Sequence, residues 1–425
     1  MTVLPDDADI LALGREAEAM IEALAAISAE EGRLTRLYLS PEHRKAADLV
    51  AGWMRDFGLD VSEDAMGTVR GRLKATSNTP LNHRLLVGSH IDTVIDAGKY
   101  DGNLGVICGI LAAREIVRRG IEIPFGLDIL AFGDEEGVRF PTTLLTSAAV
   151  AGHVSAQALE GRDANGVSVA DALRVFGGDP QRVAACADDP GEVLGYLEVH
   201  IEQGPVLEAE DLPLGIVTSI AGAARFRIRI SGMAGHAGTV PMALRHDALA
   251  AASELVLFIE ETARSGVTDS LVATVGELGV RPGAVNVIPA DVALTLDIRA
   301  ASDNPRLEAV KAIEARAAQI AQARGCSIAF EPYHEVNTCP CSPDLQDAAE
   351  AALQRLGLTP RRMMSGAGHD GQAMSKLTDI GMLFVRCKGG ISHNPLESVT
   401  VEDMGLAVEA MVGWIEQLAN KERKN

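Results

Sequence analysis

The sequence predicts an α/β protein: a mainly parallel mixed-sheet domain interrupted by an inserted two-layer α+β domain. Three observations carry this. Apolar strands and a helix alternate through "HRLLVGSHIDTV", "LGVICGILAAREIVRRG" and "IPFGLDILAFGDEEG", the pattern of a βαβ unit. From residue 214 the pattern shifts to period two, in "ARFRIRISG" and "ADVALTLDIRA", as half-buried antiparallel strands show. Helix–strand alternation then returns in "SPDLQDAAEAALQRLG" and "IGMLFVRC". The boundaries read from this are 1–213 with 333–425 for the discontinuous domain, and 214–332 for the insertion.

Each element has a local reason. Residues 9–28 are alanine-rich with helical periodicity. "SPEHRKAADLVAGWMRDFG" is a capped amphipathic helix, with Ser40 at the N-cap, Pro41 at the first helical position and Gly58 just past the end. "DVSEDAMGTVRGRL" is a strand pair turning at Gly67, and Gly120 closes the helix of the βαβ unit. Helical stretches at 245–264 and 303–324 accompany the antiparallel strands, and a last helix covers 400–419.

Composition narrows the function. The chain has 425 residues, 47% hydrophobic and 23% charged, with 4% aromatic. That is a globular balance whose core must be aliphatic. A net charge of −21 leaves no basic footprint for nucleic acid or an anionic membrane. No apolar run is long enough to span a bilayer. The acidic N-terminus "MTVLPDDADILALG" lacks the basic and apolar segments of a signal peptide. Six scattered cysteines, including "CPC" at 339–341, read as free thiols in a reducing cytoplasm, because no second pair completes a thiolate metal site.

Two adjacent glutamates, Glu135 and Glu136, follow an apolar strand in "AFGDEEG". Packing alone gives no reason to gather acids there. Four further stretches hold potential metal ligands: His90 in "GSHIDTV", Asp101 in "YDGNLG", His200 in "EVHIEQGP" and His393 in "ISHNP". Imidazole and carboxylate suit zinc, manganese, cobalt or nickel. Three histidines and two carboxylates are too many for one tetrahedral ion, and suit two ions about 3.5–4 Å apart sharing a carboxylate. One of Glu135 and Glu136 then binds metal while the other takes a proton from water. Asp92, two residues beyond His90, lies on the same side of an extended strand and suits a residue that orients the imidazole. Singly, each piece has a plainer reading, such as a turn at Asp101–Gly102. The βαβ unit brings His90, Asp101 and the two glutamates to the carboxyl ends of its strands, where ligands bind.

In order, "GSHIDTV", "YDGNLGV", "DEEGVRFP", "EVHIEQGPVLE", "AGHAGTVPM", "VNVIP", "LDIR", "SGAGHDGQ" and "ISHNPLE" resemble the dinuclear-metal amidohydrolases. These include allantoate amidohydrolase and N-carbamoyl-L-amino-acid hydrolase, and are related to aminoacylases and di-zinc carboxypeptidases. The resemblance runs from about residue 30 to 415. It implies two divalent ions per subunit, one on His90, His200 and bridging Asp101, the other on Asp101, Glu136 and His393. It implies Glu135 as general base and acid, Asp92 as the residue behind His90, and His236 stabilising the oxyanion. Asn286 and Arg299 would grip the substrate carboxylate, with Gln203, Gly368 and His369 lining the pocket. The inserted domain would be a lid and the site of homodimerisation. Val240 departs from the family, whose members often carry a second threonine there.

The implied activity is hydrolysis of a linear ureido C–N bond in a small ureido carboxylate by a cytoplasmic enzyme, with allantoate, an intermediate of purine catabolism, the first expectation. N-carbamoyl-L-amino acids are the nearest alternative, and an aminoacylase or dipeptidase a more distant one. A metal-binding or assembly protein without activity is the reading from another class; Glu135 argues against it, since a structural site needs no unliganded carboxylate.

Overall fold

The computed structural model describes residues 6–265 and 270–423, so the first five residues of the acidic N-terminal stretch lie outside it. Two compact units emerge: residues 1–218, 341–363 and 367–425 form the first, and 219–340 with 364–366 the second.

The first unit opens with α1 (Asp7–Ala25) and α2 (Pro41–Asp56). Helix α1 starts earlier than its apolar periodicity suggests because the Asp6 side chain accepts from the Asp9 N–H and caps it. Ser40 caps α2 in the same way, accepting from the His43 N–H. Then follow β1 (Asp60–Glu63), β2 (Val69–Leu73), β3 (Arg84–His90), α3 (Asn103–Arg118), β4 (Gly126–Phe132), α4 (Leu145–Val150), α5 (Val169–Phe176), β5 (Val193–Ile201), α6 (Val206–Ala209) and β6 (Leu214–Ile220).

The chain continues into the second unit through β7 (Gly222–Ser231), β8 (Gly235–His236), α7 (Ala248–Arg264), β9 (Val272–Thr274), β10 (Leu278–Arg281), β11 (Val287–Ile288), β12 (Asp291–Ala300), α8 (Asp303–Arg324), β13 (Ser327–Val336) and β14 (Cys339–Pro340). Helix α7 begins at Ala248 because Asp247 accepts from the Leu249 and Ala250 N–H groups. Strands β10, β12, β7 and β13 lie side by side and antiparallel. Their alternate residues, among them Phe226, Ile228, Ile230, Val292, Leu294 and Leu296, join Leu255, Ile259, Ile313 and Ile320 of α7 and α8 in one apolar core. The other face keeps arginines and acids in solvent, which is why the sequence shows period two here.

The last stretch supplies α9 (Pro343–Arg355), β15 (Arg362–Ser365), α10 (Asp370–Met374), β16 (Ile380–Val385) and α11 (Val401–Glu422). The larger sheet runs β1-β2-β4-β3-β5-β16-β6. Its four central strands, β4, β3, β5 and β16, are parallel, while β1, β2 and β6 pair antiparallel at the margins. The sheet is therefore mixed but parallel where it matters. The central strands are buried almost throughout, and α3, α9 and α11 cover them with Ile107, Leu111, Leu353, Met411 and Trp414. A polar side chain inside such a strand needs a buried partner, whereas the strand ends open toward a cleft, and the carboxyl ends of β3, β4 and β5 are where His90, "GDEEG" and His200 stand.

Candidate metal centre

Five side chains converge at those strand ends. His90 is the last residue of β3, and His200 the last but one of β5. Asp101 lies in the link between β3 and α3, Glu136 four residues past β4, and His393 in the loop after β16. Ligand atoms of His90, Asp101 and His200 lie within 4.8 Å of one another, as do those of Asp101, Glu136 and His393. Asp101 belongs to both groups. Its Oδ1 is 3.4 Å from His90 Nε2 and 3.1 Å from His200 Nε2. His393 Nε2 is 3.4 Å from Asp101 Oδ2 and 3.4 Å from Glu136 Oε2.

These spacings are what a cation needs. Ligands about 2.0–2.1 Å from a tetrahedral zinc stand about 3.3 Å apart. The donor set is nitrogen and oxygen, without thiolate. His90 Nε2 is buried with no hydrogen-bond partner among the described residues, which without an ion would be a costly orphan. The Nδ1 atoms of His90 and His200 face the backbone carbonyls of Asp92 at 3.0 Å and Ile201 at 2.9 Å. That assigns the proton to Nδ1 and leaves the Nε2 lone pairs toward Asp101. Gly102 completes the fit: φ is +67°, and a Cβ there would lie 2.4 Å from the His90 ring.

Asp134, Glu135 and Glu136 are consecutive in the chain, and their side chains make three different sets of contacts. Asp134, at φ +66°, turns from the centre and accepts from the Thr142 hydroxyl at 2.6 Å. Glu136 belongs to the second ligand group. Glu135 belongs to neither; its Oε2 is 3.8 Å from His90 Nε2. The Asp92 carboxylate accepts from the N–H groups of both Glu135 and Glu136, at 3.3 Å each, while its Oδ1 lies 3.6 Å from His90 Nδ1. Asp92 thus fixes the glutamate turn as well as standing behind the imidazole. A left-handed residue costs about 1–2 kcal/mol; Gln203 at +57° and His393 at +53° join Asp134 in that conformation around the centre.

Without cations the pocket is a crowd of acids. Burial, with the nearby Glu136 charge adding, pushes Glu135 well above the usual carboxylate range. Burial and the Asp101 charge raise Glu136 to about 7. Burial opposes the ionised form of Asp101, but His200, His393 and His90 outweigh it and hold Asp101 well below its usual range. The Asp101 hydrogen bond raises His393 to about 9.

The remaining sequence-derived residues divide between the units. In the first, Gln203 Nε2 donates to Asp101 Oδ2 at 2.7 Å and to Ser392 Oγ at 3.3 Å, while its Oε1 is buried with no hydrogen-bond partner among the described residues. His369 is buried, edge-on to His200 with ring centroids 4.5 Å apart. A Cβ at Gly368 would stand 4.0 Å from Glu135 Oε1, so that backbone runs beside the Glu135 carboxylate. In the second unit, His236 and Asn286 are neighbours: the Ala237 N–H donates to the Asn286 carbonyl at 2.9 Å, and β8 pairs with β11. Arg299 grips Asp297 with Nε and Nη2, both at 2.8 Å, and donates to the Gly366 carbonyl from Nη1.

The sequence reading missed a buried layer beneath the ligands. Glu198 accepts from Ser89 Oγ at 3.2 Å, Tyr196 Oη at 3.1 Å and the Gly371 N–H at 3.1 Å. Glu397 and Ser392 approach Asp101 from the His393 loop. Arg36, fully buried, donates from Nε to the Ile91 carbonyl at 2.7 Å and from Nη2 to Asn103 Oδ1 at 2.8 Å.

A mixed sheet that gathers two groups of possible metal ligands at its parallel strand ends is an arrangement suited to a metal-dependent hydrolase. Residues 86–417 match the model of peptidase family M20/M25/M40, and the chain belongs to that family; it is a hydrolase of C–N bonds. It is 43% identical over 391 residues to the N-carbamoyl-L-amino acid amidohydrolase of Geobacillus stearothermophilus, covering 92% of this chain and 95% of that one. It is 40% identical over 430 residues to the allantoate deiminase of Arabidopsis thaliana, covering 94% and 82%. A solved amidase of the hydantoinase/carbamoylase family from Burkholderia multivorans is similar with a TM-score of 0.88 and 30% identity, over 95% and 97% of the two chains. Among the described residues no helix is long and apolar enough to cross a membrane.

Proposed function

We propose that this chain hydrolyses linear ureido C–N bonds in a small carboxylate substrate, with allantoate as that substrate, releasing ammonia and CO2 and leaving the ureidoglycine half. The observation that carries this is Asp101, shared between two ligand groups, with Glu135 in neither and its Oε2 3.8 Å from His90 Nε2. His90, Asp101 and His200 would hold one divalent ion, and Asp101, Glu136 and His393 the other. Zinc or manganese fits this set, and so do cobalt and nickel. Bound there, such ions supply Lewis acidity, polarising a carbonyl and bringing the pKa of water toward neutrality.

The chain's own residues do the rest. Glu135 takes the proton from the attacking water and returns it to the leaving nitrogen. Asp92 keeps Glu135 and Glu136 in register. His369 and Gly368 line the pocket floor, and Gln203 holds the shared carboxylate. His236 is assigned to the developing oxyanion, and Asn286 with Arg299 to the substrate carboxylate, Arg299 exchanging the Gly366 carbonyl for a fork on the ligand. The second unit is read as the lid and the homodimer contact, and the enzyme as cytoplasmic.

N-carbamoyl-L-amino acids are the second reading, because relatives with that name and with the allantoate name stand at 43% and 40% identity. A substrate panel on metal-free protein reloaded with each cation in turn decides. Ammonia from allantoate with little turnover of N-carbamoyl amino acids supports the first; the reverse order of rates overturns it in favour of the second.

A further inference from the structure

We propose that Glu397 is a positioning residue that locks the loop carrying His393 onto the turn carrying Asp101, and so sets the affinity of the Asp101–Glu136–His393 group for its ion. The proposal rests on the metal-centre reading above and adds a residue to it.

Glu397 is 3% exposed, four residues beyond His393. Its Oε1 accepts from two consecutive N–H groups, Tyr100 at 2.8 Å and Asp101 at 3.1 Å. Its Oε2 lies 3.2 Å from Ser392 Oγ, and that hydroxyl donates to Asp101 Oδ2 at 2.8 Å. One carboxylate therefore ties the backbone of the shared ligand to the residue next to His393. The surroundings are shaped for it. A Cβ at Gly98 would stand 2.3 Å from the Glu397 carboxyl carbon, so the turn before Asp101 admits this side chain only because residue 98 has none. The Glu397 N–H donates to the Asn394 carbonyl at 3.0 Å, and the Leu396 N–H to Asn394 Oδ1 at 2.9 Å; this folds the loop back so that Glu397 reaches inward.

His393 needs such a clamp more than the other histidines do. His90 and His200 sit on buried strands with Nδ1 anchored to a backbone carbonyl. The His393 side chain is 50% exposed, its backbone is left-handed, and no hydrogen bond to its Nδ1 is found among the described residues. Its direction is set by its loop, and the loop by Glu397. Glu397 itself is no ligand of either group; both its oxygens are engaged. Residues that orient a ligand in this way are worth about 10–100-fold in metal affinity.

The test is a Co2+ titration of the metal-stripped full chain, followed by the visible absorption of bound cobalt and by chelator competition. Wild type is expected to bind two ions. Glu397→Ala should keep the tighter ion, since Gln203 still holds Asp101, and bind the second about 10–100-fold more weakly. Glu397→Gln keeps an oxygen for the two N–H groups and offers an N–H to Ser392 Oγ, so it should restore the second ion. Ser392→Ala, which removes one link without opening the buried site, should weaken the same ion less. Circular dichroism of the metal-free variants should match wild type. The proposal is overturned if Glu397→Ala binds both ions like wild type, if it loses both equally, or if Gln is no better than Ala. A wild-type protein that binds fewer than two ions overturns the metal-centre reading itself, and this proposal with it.

Discussion

Replacing Glu135 with alanine should separate chemistry from metal binding. The carboxylate belongs to neither ligand group, and its Oε2 stands 3.8 Å from His90 Nε2, beyond hydrogen-bond distance. Its backbone N–H is held by Asp92, a bond that alanine keeps. The side chain is therefore removable without dismantling the centre. General acid–base catalysis contributes about 10²–10⁴-fold, or roughly 2.7–5.4 kcal/mol of barrier at 1.36 kcal/mol per decade. We expect kcat on the best ureido substrate to fall by that factor, with KM and the number of bound ions unchanged. The assay is steady-state ammonia release beside metal analysis of the same preparation. Turnover within tenfold of wild type would remove Glu135 from the reaction. Loss of an ion along with activity would make it a ligand instead.

Three further outcomes follow from the geometry. Asp92→Ala frees the N–H groups of Glu135 and Glu136 together, so chelator competition should show metal affinity falling about 10–100-fold; unchanged affinity would reduce Asp92 to packing. In the metal-free protein His393, at about 9, is protonated at neutral pH and Glu136, at about 7, is partly so. Cations must displace those protons, so apparent affinity should rise from pH 6 to 9, and binding heats should differ between buffers of unlike ionisation enthalpy; buffer-independent heats would contradict this. Arg36→Met leaves the buried carbonyls of Leu24 and Ile91 and the Asn103 side chain without their donor, and should cost about 3 kcal/mol or more in urea unfolding; a loss under about 1 kcal/mol would show that these groups find other partners.

How far the sequence could be read depended on how a residue interrupts a pattern. His90, His200 and the two glutamates end apolar strands, where a polar burst has few structural excuses, so they stand out. The strand pair around Gly67 and the Ser40 cap were legible for the same reason, since local chemistry decides them. Glu397 was not. An acid in "HNPLESVT" looks like any solvated loop residue, and only the folded chain brings it to residues 100 and 101. Glu198 lies inside a strand, two residues before His200, and nothing local marks it as buried. Gln203, which the family resemblance puts in the pocket, also donates from Nε2 to Asp101, a contact across 102 positions of chain that no local pattern announces. The division of labour among Asp134, Glu135 and Glu136 likewise needed coordinates, because adjacent acids are equivalent until their neighbours differ.

The central claim is that two cations share Asp101. Anomalous scattering from crystals of the zinc-loaded protein, measured on both sides of the zinc absorption edge, addresses it directly. The expected result is two peaks about 3.5–4 Å apart, one against His90 and His200, one against Glu136 and His393, with an Asp101 oxygen on each and Glu135 on neither. A single peak, or a pair that leaves Asp101 uncoordinated, would contradict the account.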